Sequence, residues 1–290
     1  MLPDTFGVFV LTHKRPNNVL TFDTLRECGY SGRLYLIVDN EDDTVGQYYE
    51  KFGTEHVVVF DKQAEVDVSD YGNNFNEYRT TMIVRNASFK IAEQLGITHF
   101  VQLDDDYTAF EYRVMVDGKG IVRPVKNIDS IFSETLEFYK ASGATAISFA
   151  QGGDFIGAIY NGVAAYRFSR RKCMNSIFCS VERPFKFVGV MNEDVNTYTT
   201  LGSRGYLFLT IPVISIVQKA TQAQKGGMAE MYRKFGTYSK AFTTSMMMPS
   251  SVRVGMLQSG HPRIHHIINW KATVPCIVSE AYRKNNTEES

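Results

Sequence analysis

HFVQLDDDYTAF, residues 99–110, is a short apolar run that drives straight into Asp104, Asp105 and Asp106. Three adjacent carboxylates repel one another unless a positive charge sits among them. The residues ahead of the acids read as a buried strand, and side chains along a strand alternate between its two faces. Asp104 and Asp106 are therefore expected on one side and Asp105 on the other. Two carboxylates on one face suit a hard cation such as Mg²⁺ or Mn²⁺, which keeps waters and takes further ligands from a phosphorylated substrate. The expected counter-charge is a divalent ion carrying a diphosphate. An acidic turn that merely ends a strand is the competing reading of a DxD taken alone.

The flanking sequence repeats one unit. FGVFVL (6–11) is a strand, and a helix follows from Val19 to Cys28, closed by Gly29. RLYLIVD (33–39) is a second strand, Asp43 to Phe52 a polar helix stopped by Gly53, and HVVVF (56–60) a third strand. The polar stretch from Asp61 to Tyr78 shows no periodicity and reads as a long loop. A helix from Tyr78 to Leu95, ended by Gly96, then leads into the strand before the acids. Strands alternating with helices predict a parallel, doubly wound sheet with right-handed crossovers. Such sheets bind ligands outside the carboxyl ends of their strands, where Thr12, Asp39 and Asp104 to Asp106 all fall.

The second half is less regular. It offers a helix around Ser130 to Ala141, a strand ATAISFA (144–150), the turn QGGDF, a hairpin through YNGVAAYRF and a strand YLFLTIPVIS (206–215). We read one α/β domain over residues 1–290, with a nucleotide-sugar half (1–108) and a mixed α+β acceptor-binding and catalytic half (109–290).

Composition narrows the function classes. Lys plus Arg and Asp plus Glu both number 31, so any polyanion partner must be held by a local patch. Cys28, Cys173, Cys179 and Cys276 lack CxxC spacing, which argues against a zinc site or a disulfide scaffold and makes a reducing cytoplasm the default. The opening MLPDTFGVFVLTHKRP has no basic segment ahead of a long apolar stretch, so neither export nor a membrane span is expected. Nothing in the sequence points to a protein partner.

The first hundred residues resemble the GT-A glycosyltransferases: a first strand running into THKRP, Asp39 closing the second strand, Arg85-Asn86 on the helix before the acids, and the DxD itself. VRNASFKIAEQLGITHFVQLDDD is similar to the "ARN…A…G…DDD" passage of family-two enzymes. A narrower resemblance runs along almost the whole chain. LTHKRPNN, FDK, VRNASF, LDDDY, QGGDFIG, NEDVNTY, TQAQKGGM, GTYSK and RIHH look like the TET-associated glycosyltransferases. That resemblance implies a Rossmann-like GT-A fold and a sugar moved from a UDP-sugar to 5-hydroxymethylcytosine in bacteriophage-type DNA, inside an infected host cell. The competing expectations are a saccharide, lipid or protein acceptor, or a non-catalytic nucleic-acid-binding relative.

The resemblance also implies roles. Thr12 and Asp39 would contact uracil, Asp104 the ribose or the metal, and Asp106 the metal directly, with Arg15, Arg85 and Asp105 completing the nucleotide site. Glu193-Asp194 in NEDVN (192–196) resembles the "ED" of inverting enzymes, with Asp194 the favoured base and Glu193 the alternative. The plain reading is an acidic helix start capped by Asn192. His265 or His266 of RIHH would complete the metal shell, and on a strand the two should point oppositely. Lys225, followed by two glycines, offers a cation and free N–H groups for phosphate. Asp154 is placed to bind a sugar hydroxyl or to cap a turn. YRFSRRK (166–172) with Arg253, Arg263 and Lys271 would make a DNA-backbone groove, and Tyr107, Phe155 and Trp270 could stack on a flipped base.

Overall fold

The computed structural model describes residues 2–72, 78, 80–117, 119–155, 170–218, 231, 234–236, 238–257 and 262–274. Its first half follows the predicted alternation: β1 (Phe6–Leu11), α1 (Leu20–Glu27), β2 (Arg33–Asp39), α2 (Val45–Phe52), β3 (Val57–Phe60), α3 (Lys62–Val66), α4 (Thr81–Gln94) and β4 (His99–Asp104). All six residues of β1 are buried, which only a strand covered on both faces allows. Val8 and Val10 pack with Leu25 of α1 and Tyr48 of α2, while Phe9 and Leu11 pack with Met82, Ile83 and Phe89 of α4. The period-2 alternation of one strand thus divides the core into two layers. Gly53 and Gly96 end their helices at φ of 86° and 67°, a region open to glycine without strain.

One expectation fails inside this half. Asp61–Tyr78 is not wholly loop, because α3 occupies its start, with the Asp61 carboxylate capping the Ala64 N–H at 3.3 Å. Five residues are too few to display a period.

The second half contributes β5 (Tyr107–Val116), β6 (Lys119–Pro124), α5 (Ile128–Ser142), β7 (Ala146–Gln151), β8 (Ile177–Ser180), α6 (Glu193–Gly202), β9 (Phe208–Gln218), α7 (Ser239–Met247), β10 (Val252–Leu257), β11 (Arg263–Ile268) and α8 (Trp270–Thr273). The hairpin read in YNGVAAYRF lies outside the described residues. A single nine-stranded sheet has the order β3-β2-β1-β4-β8-β7-β9-β5-β6, and β10 pairs with β11 in a second, two-stranded sheet. Strands β3, β2, β1 and β4 are mutually parallel, as the spacing predicts, whereas β8, β5 and β6 run antiparallel to their neighbours.

The sheet must curl at the acids. Only Asp105 and Asp106 separate β4 from β5, a reach of about 11 Å. Yet four inter-strand steps, about 19 Å in a flat sheet, lie between these strands in the sheet order. Strand β9 supplies the bend: its register against β7 jumps from Phe149↔Ile211 to Ala150↔Ser215, skipping over Pro212, and its far end pairs Gln218 with Tyr107. The acidic turn therefore sits in the concavity of a folded-over sheet.

Candidate active site

Register alone places the first contacts. Leu11 of β1 lies opposite Asp104 and Ile37, so Thr12 falls beside Asp105 and His13 beside Asp39. Thr12 Oγ1 donates to Asp105 Oδ2 at 2.8 Å, and His13 Nδ1 lies 2.7 Å from Asp39 Oδ2, though off the line of an aligned hydrogen bond. A relay runs through Tyr48: the Arg15 N–H donates to its oxygen at 2.8 Å and the phenol stands 3.1 Å from Thr12 Oγ1. Since Thr12 gives its proton to Asp105, Tyr48 donates to Thr12. Arg15 closes the ring, NH1 to Asp105 Oδ1 at 3.2 Å. Burial pushes Asp39 up, but the His13 contact and Lys62 outweigh it and hold the carboxyl below its ordinary value.

The amino end of α1 staples the acidic turn. Thr21 Oγ1 donates to the Asp104 carbonyl at 2.6 Å and accepts the Tyr107 N–H at 2.9 Å, while its own N–H donates to the Asp105 carbonyl at 3.2 Å. Thr21 thus pins the backbone of the turn at three points.

Arg85, entirely buried on α4, is the hub. Its Nη2 donates to Asp104 Oδ1 at 2.9 Å, its Nε to Glu193 Oε1 at 3.1 Å, and Nη1 reaches Gln102 Oε1 at 3.4 Å. Burial opposes the charged guanidinium, yet Asp104, Glu193 and Asp194 together raise its pKa further above the usual range. Two of the three acids already have protein cations, Arg85 for Asp104 and Arg15 for Asp105. Asp106 has no cation partner among the described residues: burial and the charges of Asp104 and Asp105 lift its carboxyl to about 7, with Arg15 pulling only weakly the other way.

Glu193 and Asp194 open α6, and Arg85 treats them differently. Glu193 accepts from Arg85 and from the Thr81 hydroxyl, so it is a held carboxylate. Asp194 Oδ1 accepts only the Val195 N–H, at 2.7 Å, among the described residues. Burial and Glu193 raise Asp194 to about 7. The plain cap reading is not realised, because Asn192 takes a left-handed conformation and makes no side-chain cap bond. Its amide donates instead to the Lys240 carbonyl and Thr244 Oγ1 at 3.0 and 3.1 Å, with His266 Nδ1 3.3 Å away.

The histidines depart from expectation. The rings of His265 and His266 lie against each other with centroids 4.1 Å apart rather than pointing oppositely. Burial, with Lys172 and Lys240 nearby, pushes His265 down to about 4 and His266 to about 2. Among the described residues no three His, Cys, Asp or Glu side chains gather at metal-ligating range, so neither histidine completes a shell with Asp104 and Asp106. Two carboxylates with water and substrate phosphates remain the ordinary arrangement for Mg²⁺.

Asp154 pairs with Arg171 at 2.8 Å and accepts the Gln151 N–H at 2.9 Å. Arg253, Arg263 and Lys271 are exposed. Tyr107 is fully buried and cannot stack on a base, while Trp270 already stacks on Tyr198 at 5.9 Å. Lys225, residues 166–169 and the Phe155 side chain lie outside the described residues. Sequence reading missed Tyr48, His13 and Lys240. The parallel register of adjacent strand ends could have found His13 opposite Asp39; the other two meet the site only through tertiary packing.

A model of the family described as TET-Associated Glycosyltransferase matches residues 6–227. No curated protein matches the chain. Among solved structures the chain is similar to a mycobacterial protein (TM-score 0.47, 10% identity, covering 91% of this chain and 83% of that one). It is also similar to glucosyl-3-phosphoglycerate synthase from Mycobacterium tuberculosis in complex with Mg²⁺ and UDP (0.42, 11%, 91% and 87%). The same enzyme with Mn²⁺ and UDP-glucose gives 0.45, 10%, 91% and 86%.

Proposed function

The chain belongs to the TET-associated glycosyltransferase family, and on that premise we propose that it moves a sugar from a UDP-sugar to the hydroxymethyl group of 5-hydroxymethylcytosine in DNA, with Mg²⁺ or Mn²⁺ as cofactor. The observation that carries the proposal is the Arg85 hub. It neutralises Asp104 and Glu193 and leaves their chain neighbours Asp106 and Asp194, each lifted to about 7, without an ion pair among the described residues. An unpaired carboxyl at a strand's carboxyl edge is where a cation is needed, and a second one, at the start of a helix, can serve as the proton acceptor.

Asp106, with the free face of Asp104, would hold the ion. When bound, the ion would neutralise the diphosphate of the departing UDP. Arg15 and Asp39 stand at the neighbouring strand ends, placed to border the nucleoside, while Thr12 and Asp105 position the turn through their mutual bond. Asp194 takes the proton of the acceptor hydroxyl as that oxygen attacks the anomeric carbon, and a carboxyl near 7 is matched to the task. Glu193, held by Arg85 and Thr81, positions the helix end and does not accept the proton. Residues 1–108 form the donor half and 109–290 the acceptor half. A DNA acceptor agrees with the exposed Arg253, Arg263 and Lys271 on the acceptor half of a chain of zero net charge. No described helix is long and apolar enough to cross a membrane.

The test is UDP release from sugar nucleotides with hydroxymethylated and unmodified oligonucleotides, followed by mass spectrometry of the strand. Release and a sugar-sized mass gain are expected only with the hydroxymethylated strand. Equal release from both defeats the DNA acceptor.

A further inference from the structure

Tyr48 carries two separable parts on one side chain. Its ring belongs to the core with Val8, Val10 and Leu25 and stacks on Phe52 with centroids 6.4 Å apart. Phenylalanine would fill that space equally well, with no hydroxyl to take out of water. The Tyr48 side chain is nonetheless completely buried, and a buried hydroxyl destabilises the fold unless hydrogen bonds offset its lost hydration. Its bonds join three segments of the chain. The Arg15 N–H donates to the phenol oxygen at 2.8 Å, the phenol proton goes to Thr12 Oγ1 at 3.1 Å, and Thr12 in turn donates to Asp105 Oδ2 at 2.8 Å. Burial pushes the phenol up to about 12, so at neutral pH it keeps the proton that this direction requires. Hydrogen bonds that run one way toward a carboxylate reinforce one another.

Helix α2 and the turn before it grip three successive residues of the loop after β1. Lys14 takes a left-handed conformation at φ 54°, unfavourable for a residue with a Cβ, and its N–H donates to the buried Asp42 carboxylate at 2.6 Å. Arg15 is held by Tyr48, and Lys51 Nζ donates to the Pro16 carbonyl at 3.2 Å. Of these grips, the one at Tyr48 continues through Thr12 to the acidic turn. Arg15 is the residue so delivered. With its N–H on Tyr48 and Nη1 on Asp105 Oδ1 at 3.2 Å, it is fixed at both ends, while its Nε is buried with no hydrogen-bond partner among the described residues. An unmet guanidinium donor beside the acidic turn suits an oxygen of an incoming nucleotide.

We propose that Tyr48 is a positioning residue of the donor site: its hydroxyl ties the Arg15 backbone to Thr12 and so holds residues 12–16 against the acidic turn in the form that receives the UDP-sugar. The proposal rests on the donor reading given above. Tyr48 is too deeply buried to touch the substrate and acts through Arg15 and Thr12. Asp194, on α6, lies outside this chain of bonds. The hydroxyl therefore governs donor binding and leaves the proton transfer alone.

The full chain tests this as wild type, Tyr48→Phe, Thr12→Val, Thr12→Ser and the Tyr48→Phe/Thr12→Val double variant, each first shown to fold by thermal melting. Calorimetric titration of UDP with Mn²⁺ should show Tyr48→Phe and Thr12→Val each weakened about fivefold to tenfold, the loss of one hydrogen bond from a chain that ends on a charge. Donor KM should rise by the same factor while kcat stays within about twofold, a split that general loosening of the fold does not produce. The double variant should bind about as well as either single variant, because both substitutions break the same chain. Thr12→Ser, which keeps the hydroxyl, should recover most of the affinity that Thr12→Val loses. If folded Tyr48→Phe binds UDP as wild type does, the hydroxyl serves only the fold and the proposal is wrong. Losses that multiply in the double variant mean that the two hydroxyls act separately, and they overturn it as well. Should Tyr48→Phe not fold, the Thr12 pair decides: equal affinity in Thr12→Val and Thr12→Ser overturns the chain, and recovery in Thr12→Ser supports it. If wild type itself does not bind UDP with Mn²⁺, the donor reading fails and this proposal falls with it.

Discussion

Replacing Asp106 with asparagine should make the metal-free protein more stable and inactive at once. An isolated aspartate titrates at 3.8, but in the fold Asp106 is lifted to about 7. Each pH unit of that difference is worth about 1.4 kcal/mol, so the ceiling is about 4 kcal/mol. Asp106 is partly exposed, and water screens the repulsion, leaving about 1–2 kcal/mol. A carboxyl whose folded pKa is raised binds its proton more tightly in the native state. Below about pH 4 both states are protonated and Asp106 has no effect; between 4 and 7 the native state bears a growing penalty; above 7 the penalty is constant. Asp106→Asn removes it. Thermal unfolding in chelator should show the variant equal to wild type near pH 4 and about 2–4 °C higher at pH 8. Added Mn²⁺ with UDP should raise the melting temperature of wild type more than that of the variant. A variant less stable than wild type at pH 8 in chelator would refute the reasoning, since it would mean the carboxylate is held by a favourable partner.

Three further outcomes follow from the same geometry. Asp194→Asn should abolish transfer while UDP–Mn²⁺ affinity stays within about twofold of wild type, and wild-type turnover should rise with pH through about 7 as the base deprotonates, read from a pH–rate profile; a flat profile between 6 and 8 would remove Asp194 from the role. Arg85→Ala should lower stability by about 3–5 kcal/mol in urea denaturation, because it leaves Asp104 and Glu193 without their shared cation. A Cβ on Gly202 would collide with the Thr273 carbonyl, so Gly202→Ala should cost about 2 kcal/mol by parting α6 from α8, again measured by denaturation.

What the sequence disclosed divides along the range of the interactions. Val8 and Val10 against Phe9 and Leu11, with Gly53 and Gly96 as stops, are local patterns, and the parallel half follows from them. Asp104 to Asp106 and Glu193-Asp194 were visible as acids without neighbours of opposite sign. Their partners were not, since Arg85 reaches Asp104 across 19 positions and Glu193 across 108. Strand β5 is poorly legible because YTAFEYRVMV pairs on one edge with β9, roughly a hundred residues later, although its other edge forms a hairpin with β6, which follows directly with Val116 opposite Lys119. The resemblance implies a metal role for the histidines of RIHH; only packing reveals the cations Lys172 and Lys240 near them.

The Arg85 hub bears on how such enzymes can be recombined. One guanidinium on α4 balances Asp104 at the end of β4 and Glu193 at the start of α6, so a chimera that kept α6 but took the preceding segment from elsewhere would strand Glu193 without its cation unless helix α4 travelled with it. The natural seam for grafting therefore lies ahead of Thr81, and not at the acidic turn.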